Sequence, residues 1–303
     1  MRLQRVVIGM DFSAPATAAA AWTASRFAPG AELVLVHTVV VPEVPRFLRA
    51  RTPPTDALVE TARLGAAQRM REMVESLGSD LVRTEIRVGH AAEEIAEACR
   101  EHDADVVVVG KHGERPGFLG QIGSTAEHLV RISEVPVLLA TGVRDATPQR
   151  LLVPLNDSNV APWVLEWARF LAERYHAEAT AIHIVGAAVF TSVLSAATVG
   201  AGDTEPLPEA VRTELRQSAD DWLTRLAGRG ASRQPLSIDV VFGDPGEEIV
   251  AAARRMNADL VVMGSRGMGR LGQAVLGSVA SYVLRHSPCP TLVIKEPEDD
   301  LVR

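Results

Sequence analysis

Two glycine-rich loops carry the residues best suited to chemistry in this 303-residue chain. Gly110-Lys111-His112-Gly113 is followed after nine residues by Gly123-Ser124, and Gly264-Ser265-Arg266-Gly267 after nine residues by Gly277-Ser278. Each loop comes directly behind an Asp and an apolar run, Asp105 with Val106 to Val109 and Asp259 with Leu260 to Met263. That order reads as a buried strand, a loop, and a helix whose first turn carries Ser. A helix start leaves backbone N–H groups unpaired and aimed at whatever lies in front of it, and glycines let backbone approach oxygen atoms without an intervening Cβ. Two such loops imply two cradles for nucleotide phosphates.

The elements that must position these loops are themselves duplicated. A shift of 154 lays residues 89–140 on 243–294 with 19 identities, among them Gly89 on Gly243, Glu93-Glu94-Ile95 on Glu247-Glu248-Ile249, and Pro136 on Pro290. Near the front, Arg5 to Ile8 pair with Arg150 to Val153, Ser13 with Ser158, and His37 with His183. A repeat of this length can bury its own core, so the chain is a tandem domain duplication. The expected domains are 1–142 and 150–296, joined by the polar stretch Gly142 to Gln149. Each should be α/β and doubly wound: a five-stranded parallel sheet with helices on both faces and ligands at the carboxyl ends of the strands. Strands are expected near 4–10, 31–39, 81–88, 105–110 and 136–140, with helices near 13–27, 56–77, 91–102 and 123–132. The second half repeats the pattern, with strands near 150–155, 178–185, 236–242, 259–264 and 290–295. Residues 40–55 and 186–208 read as surface excursions after each second strand.

Composition narrows the partners. The net charge of −7 divides into about −3 before residue 146 and about −4 after it, so neither half offers a basic face for nucleic acid. No apolar run approaches the roughly 18 residues that would span a bilayer, and the N-terminus enters the first strand at once, with no room for a signal peptide. The two cysteines, Cys99 and Cys289, fall at unmatched places in the repeat and read as thiols of a reducing, cytoplasmic environment. No Cys/His cluster has zinc spacing, and no nucleophile elbow or Walker lysine motif is present. The string Gly267-x-Gly269-x-x-Gly272 matches the dinucleotide fingerprint in letters alone. It follows a fourth strand and lacks the acidic residue at the next strand's end, so NAD and FAD are set aside.

This order of elements, with the glycine–serine spacing in both halves and the closing segment Ser287-Pro288-Cys289-Pro290-Thr291, resembles the universal stress protein family in its tandem-domain form. The resemblance implies ATP binding, with Mg²⁺ accompanying the nucleotide. It assigns phosphate contacts to Gly110, Gly113, Gly123 and Ser124, and again to Gly264, Gly267, Gly277 and Ser278. It assigns the adenosine part to Asp11 and Thr38, matched in the second half by Asn156 and Ile184. It further implies pairing of domains through their last strands, a homodimer of tandem chains, and a protein partner that the residues do not identify.

The halves are not equivalent. Asn156 replaces the carboxylate of Asp11 with an amide that both donates and accepts. Lys111 and Arg266 stand at different places within their loops, each able either to add charge to a bound phosphate or to point into solvent. Glu93-Glu94 and Glu247-Glu248 open helices and are better read as partners of the helix dipole than as paired catalytic acids. His37 and His183 sit on apolar strands and read as satisfied core histidines. The machinery of fast ATP hydrolysis is not visible, and Glu114, beside Gly113, is the nearest candidate base. The expected function is a nucleotide-dependent stress-response regulator or binding module. The alternatives are a slow ATPase or phosphotransferase and a nucleotide-free protein scaffold.

Overall fold

Runs such as Leu33-Val34-Leu35-Val36 and Val106 to Val109 are buried on both faces, which forces them into the middle of a helix-covered parallel sheet. The structure, a computed structural model, describes residues 1–41, 55–113, 122–186, 209–228, 236–265 and 276–296. The chain divides into two compact units that part between Thr147 and Pro148.

In the first unit, β1 (Arg5–Gly9), β2 (Glu32–Val39), β3 (Val82–Val88), β4 (Val106–Gly110) and β5 (Val137–Ala140) form a parallel sheet in the order β3-β2-β1-β4-β5. The helices are α1 (Ala14–Trp22), α2 (Thr55–Leu77), α3 (Ala91–Glu101) and α4 (Ser124–Ile132). The winding starts at β1, runs out to β3 and returns to β4, so right-handed crossovers place α1 and α2 on one face and α3 and α4 on the other. The reversal falls between β1 and β4, whose carboxyl ends part to leave a crevice. Asp105 closes the opposite end. Its carboxylate accepts from the Gln4 and Arg5 amides at 2.8 and 2.9 Å, clamping the start of β1 to that of β4.

The helix expected over 13–27 is one α-helix followed by a π-turn, Thr23–Phe27, closed by the Ala28 amide on the Thr23 carbonyl at 2.8 Å. The wider turn lets Phe27 stack on Trp22 with ring centroids 5.3 Å apart. Trp22 in turn donates to the Ala146 carbonyl at 3.1 Å, and Arg26 pairs with Asp145, so the interdomain stretch is stitched to the first unit.

The second unit repeats the architecture. Strands β6 (Arg150–Pro154), β7 (Glu178–Val185), β8 (Leu236–Phe242), β9 (Leu260–Gly264) and β10 (Thr291–Ile294) take the order β8-β7-β6-β9-β10. Helices α5 (Ala161–Tyr175), α6 (Glu209–Gly228), α7 (Pro245–Arg255) and α8 (Ser278–His286) cover it. Asp259 repeats the clamp, accepting from the Gln149 and Arg150 amides at 3.1 Å each. Both cysteines are buried free thiols, and burial pushes the Cys99 thiol up to about 12, so it is inert at neutral pH. No helix among the described residues is long and apolar enough to cross a membrane. Most of the stretches 40–55 and 186–208 lie outside the described residues.

Candidate functional site

The first wall of the crevice is the turn that follows β1. The Asp11 carboxylate accepts from the Ser13 amide at 2.9 Å and from the Ser13 hydroxyl at 2.5 Å. Ser13 then caps α1 by accepting from the Ala16 amide at 3.3 Å. One oxygen of Asp11 is thus held, while the residue as a whole stays exposed to the crevice mouth.

The second wall is the loop after β4. Gly110 lies so near the first turn of α1 that a Cβ there would stand 3.2 Å from the Ala16 nitrogen, so this glycine has a packing reason as well. The Gly123 amide donates to the Lys111 carbonyl at 2.9 Å, closing the loop on itself and starting α4. Gly123 caps that helix with no side-chain hydrogen bond, so among the described residues no side chain caps the first-turn amides of Ser124, Thr125 and Ala126. Lys111 is 7% exposed and does not point into solvent. Burial lowers its pKa below the usual ammonium range. His112 is pushed down as well, first by burial and then by the Lys111 charge.

The third wall is the end of β2. The His37 Nδ1–H donates to the Met10 carbonyl at 2.7 Å, a bond that sets the tautomer because a carbonyl only accepts. Beside it, the Thr38 hydroxyl is buried with no hydrogen-bond partner among the described residues. These walls enclose a cleft of about 400 Å³, a volume suited to a small organic ligand. Asp11, Thr38, Gly110, Lys111, Gly113, Gly123 and Ser124 all line it, so the fold gathers every residue assigned to the first site from the sequence. His37, His112 and Ile95 line it too and were not assigned to it. For His37 the usable signal was its place one residue before Thr38 at the end of an apolar strand.

Asp11 is the one carboxylate among the described residues of the cleft wall. A Mg²⁺ ion brought with a polyphosphate fits that donor set, because the ion usually keeps several waters and takes one or two protein oxygens besides phosphate. Asp11 and the Ser124 hydroxyl are the groups that would serve it.

The second unit builds the same frame with different chemistry. The Asn156 side-chain oxygen accepts from the Ser158 hydroxyl at 2.7 Å, and His183 Nδ1–H donates to the Leu155 carbonyl at 2.9 Å. Gly264 ends β9, the Gly277 amide donates to the Ser265 carbonyl at 3.0 Å, and Ser278 opens α8. Where the first unit has the unpaired Thr38 hydroxyl, Ile184 packs against the apolar core of its unit. Arg266 and Gly267, like Glu114 in the first loop, lie outside the described residues.

The profile of the universal stress protein family matches residues 2–141 and again 148–295. A universal stress protein of Mycolicibacterium smegmatis is 26% identical over 96% of both chains. One of Mycobacterium tuberculosis is 27% identical over 96% of this chain and 97% of its own. The crystal structure of a universal stress protein from Archaeoglobus fulgidus shares the fold, with a TM-score of 0.66 at 18% identity over 98% of each chain.

Proposed function

The chain belongs to the universal stress protein family, with two domains in tandem, and on that premise we propose that its first domain binds ATP as a nucleotide-dependent regulatory module. The observation that carries this reading is the unpaired Thr38 hydroxyl on a cleft that also gathers Asp11 and the whole glycine–serine loop. A buried hydroxyl without a partner costs free energy that a ligand's hydrogen bond would recover. In this reading Asp11 and Thr38 take the adenosine, and the first-turn amides of α4 with Ser124 take phosphate oxygens. Lys111 adds a buried cation to the same end, where low dielectric strengthens its attraction to phosphate. Mg²⁺, when bound with the nucleotide, supplies charge neutralisation at the phosphates, and the protein's own part is to bind, orient and shield.

The second domain would hold nucleotide through Gly264, Arg266, Gly267, Gly277 and Ser278, with Asn156 and Ile184 at the base and sugar. Its lack of the Asp11 carboxylate and the Thr38 hydroxyl favours tighter binding at the first site. The chain would act in the cytoplasm as a homodimer that signals through a protein partner. The decisive experiment has two arms: mass spectrometry of small molecules released from the purified, denatured protein, and calorimetric titration with ATP–Mg²⁺, ADP and adenosine. Released adenine nucleotide, or saturable heat with ATP, is the expected result. No released nucleotide and no heat from any of the three would overturn the proposal.

A further inference from the structure

Among the described residues, four that are not glycine have left-handed backbone: Phe12, Asp103, His176 and Asn257. Three have an ordinary reason. His176 is the C-cap of α5, while Asp103 and Asn257 each follow the C-cap of α3 or α7, and Asn, Asp and His are the types that tolerate this conformation. Phe12 is different. It is a bulky aromatic residue at φ 62°, placed before a helix start, between Asp11 and Ser13. A side chain held so far from its preferred backbone persists only where the surroundings over-determine it, and such positions concentrate at functional sites.

What holds it is visible. The Arg69 guanidinium of α2 lies over the Phe12 ring at 4.3 Å from its centroid, and Arg69 also donates to the Phe12 carbonyl at 3.3 Å. The His37 ring packs against Phe12 at 4.7 Å, while its Nδ1–H holds the Met10 carbonyl two residues earlier. The turn is therefore pinned from β2 and from α2 at once. Its product is the placement of Asp11, with one oxygen on Ser13 and the other at the phosphate loop beside Gly113. Helix α2 does not need this contact for its own packing, because Ala66, Met70 and Met73 already bury its inner face.

The second unit reaches the same end by other residues. Asp157 stands at the position of Phe12 and lacks the left-handed backbone. There Trp222 of α6 packs against His183 directly, with ring centroids 5.3 Å apart and the ring planes tilted by 59°. In both units the long helix after the second strand thus braces the histidine that fastens the site turn.

We propose that Phe12 is a positioning residue of the first nucleotide site, and that α2 sets the affinity of that site through the stack Arg69–Phe12–His37. The inference rests on the nucleotide reading above and adds to it a lever outside the cleft. Any partner or modification that draws Arg69 away would release the turn and loosen nucleotide.

The test is hydrogen–deuterium exchange of the full chain titrated with ATP–Mg²⁺, which reads peptides over 106–130 separately from those over 260–285. Phe12→Gly, Phe12→Ala and Arg69→Gln should each raise the ATP midpoint for 106–130 at least tenfold and leave 260–285 within twofold. Phe12→Gly should melt above Phe12→Ala, since both lack the ring and only Ala must hold the left-handed backbone. Arg69→Gln should melt with the unsubstituted chain, which separates positioning from folding and carries the test if Phe12→Ala fails to fold. Midpoints within twofold for all variants that fold would overturn the positioning role while leaving nucleotide binding intact. No ATP protection anywhere in the unsubstituted chain would overturn both.

Discussion

A Cβ on Gly113 would stand 2.7 Å from an oxygen of Asp11, which makes these two residues direct neighbours across the mouth of the first cleft. One lies in the phosphate loop and the other follows the first strand, so any side chain at 113 must displace the carboxylate or the loop. Gly113→Ala should therefore weaken ATP at the first site by about tenfold, equivalent to roughly 1.4 kcal/mol, and Gly113→Leu should abolish binding there. Calorimetric titration checks both.

Asp11→Asn separates the ligand role of Asp11 from its structural one. Asn156 already makes the equivalent bond to Ser158 at 2.7 Å, so the turn can be closed by an amide. Stability should change by no more than about 0.5 kcal/mol in urea melts, as for an ordinary exposed substitution. Nucleotide affinity at the first site should fall nonetheless, and an unchanged affinity would remove Asp11 from the site.

Lys111 predicts a pH dependence of defined sign. Burial lowers its folded-state value below 10.5, so the unfolded chain binds this proton more tightly than the folded one. Stability therefore rises with pH from the depressed value up to 10.5, and below that window the buried charge costs its full amount. Lys111→Met should raise the melting temperature at pH 7, with the gain vanishing as pH nears 10.5, and should weaken ATP binding. Thermal melts across pH 7 to 10.5, with titrations beside them, read both effects.

Arg87 anchors the far face of the first unit. Its guanidinium donates to Glu85 at 2.8 Å and to Glu101 at 3.3 Å, and Glu85 also meets His102 at 2.5 Å. Glu85, Glu101 and His102 are a trio that could hold a cation, and Arg87 already supplies positive charge to both carboxylates. Burial pushes the Glu85 pKa up, but Arg87 and His102 together outweigh it and hold the carboxyl below 4.5. That contribution is present above pH 4.5 and is lost as pH falls through the lowered value. Arg87→Met should cost about 2 kcal/mol at pH 7, the scale of hydrogen bonds to charged groups, and that cost should shrink as pH falls through the lowered Glu85 value. Denaturant melts from pH 7 down into the acid range check it.

Hydrolysis should be slow. Asp11 is the one carboxylate among the described cleft residues, and one of its oxygens is held by Ser13. Fast phosphoryl transfer needs a positioned base in addition to charge stabilisation. Phosphate release should stay below about 1 s⁻¹, the lower end of ordinary turnover. Faster release that Glu114→Gln abolishes would make this chain an enzyme.

The amino-acid sequence alone marked the duplication, the parallel α/β architecture and seven of the residues that meet at the first cleft. It could do so because those features are written locally. Apolar runs mark buried strands, glycine spacing marks a strand–loop–helix corner, and each is repeated at a fixed shift. Asp105 and Asp259 were legible only as markers before a strand. That each clamps the first strand of its unit depends on two segments about a hundred residues apart meeting at the amino ends of neighbouring central strands.

The tertiary structure alone decided the chemistry of the walls. Lys111 was as free to point outward as inward until its surroundings closed over it, because burial is a sum over neighbours that no single segment contains. His37 reads as a core histidine from its strand, yet the strand's carboxyl end opens on the cleft, so the same ring is satisfied at one nitrogen and lines the site. The left-handed backbone of Phe12 had no signal in residue type, since aromatic residues rarely adopt it. It exists because Arg69 and His37, from two other elements, converge on one ring, and only the folded chain brings them there.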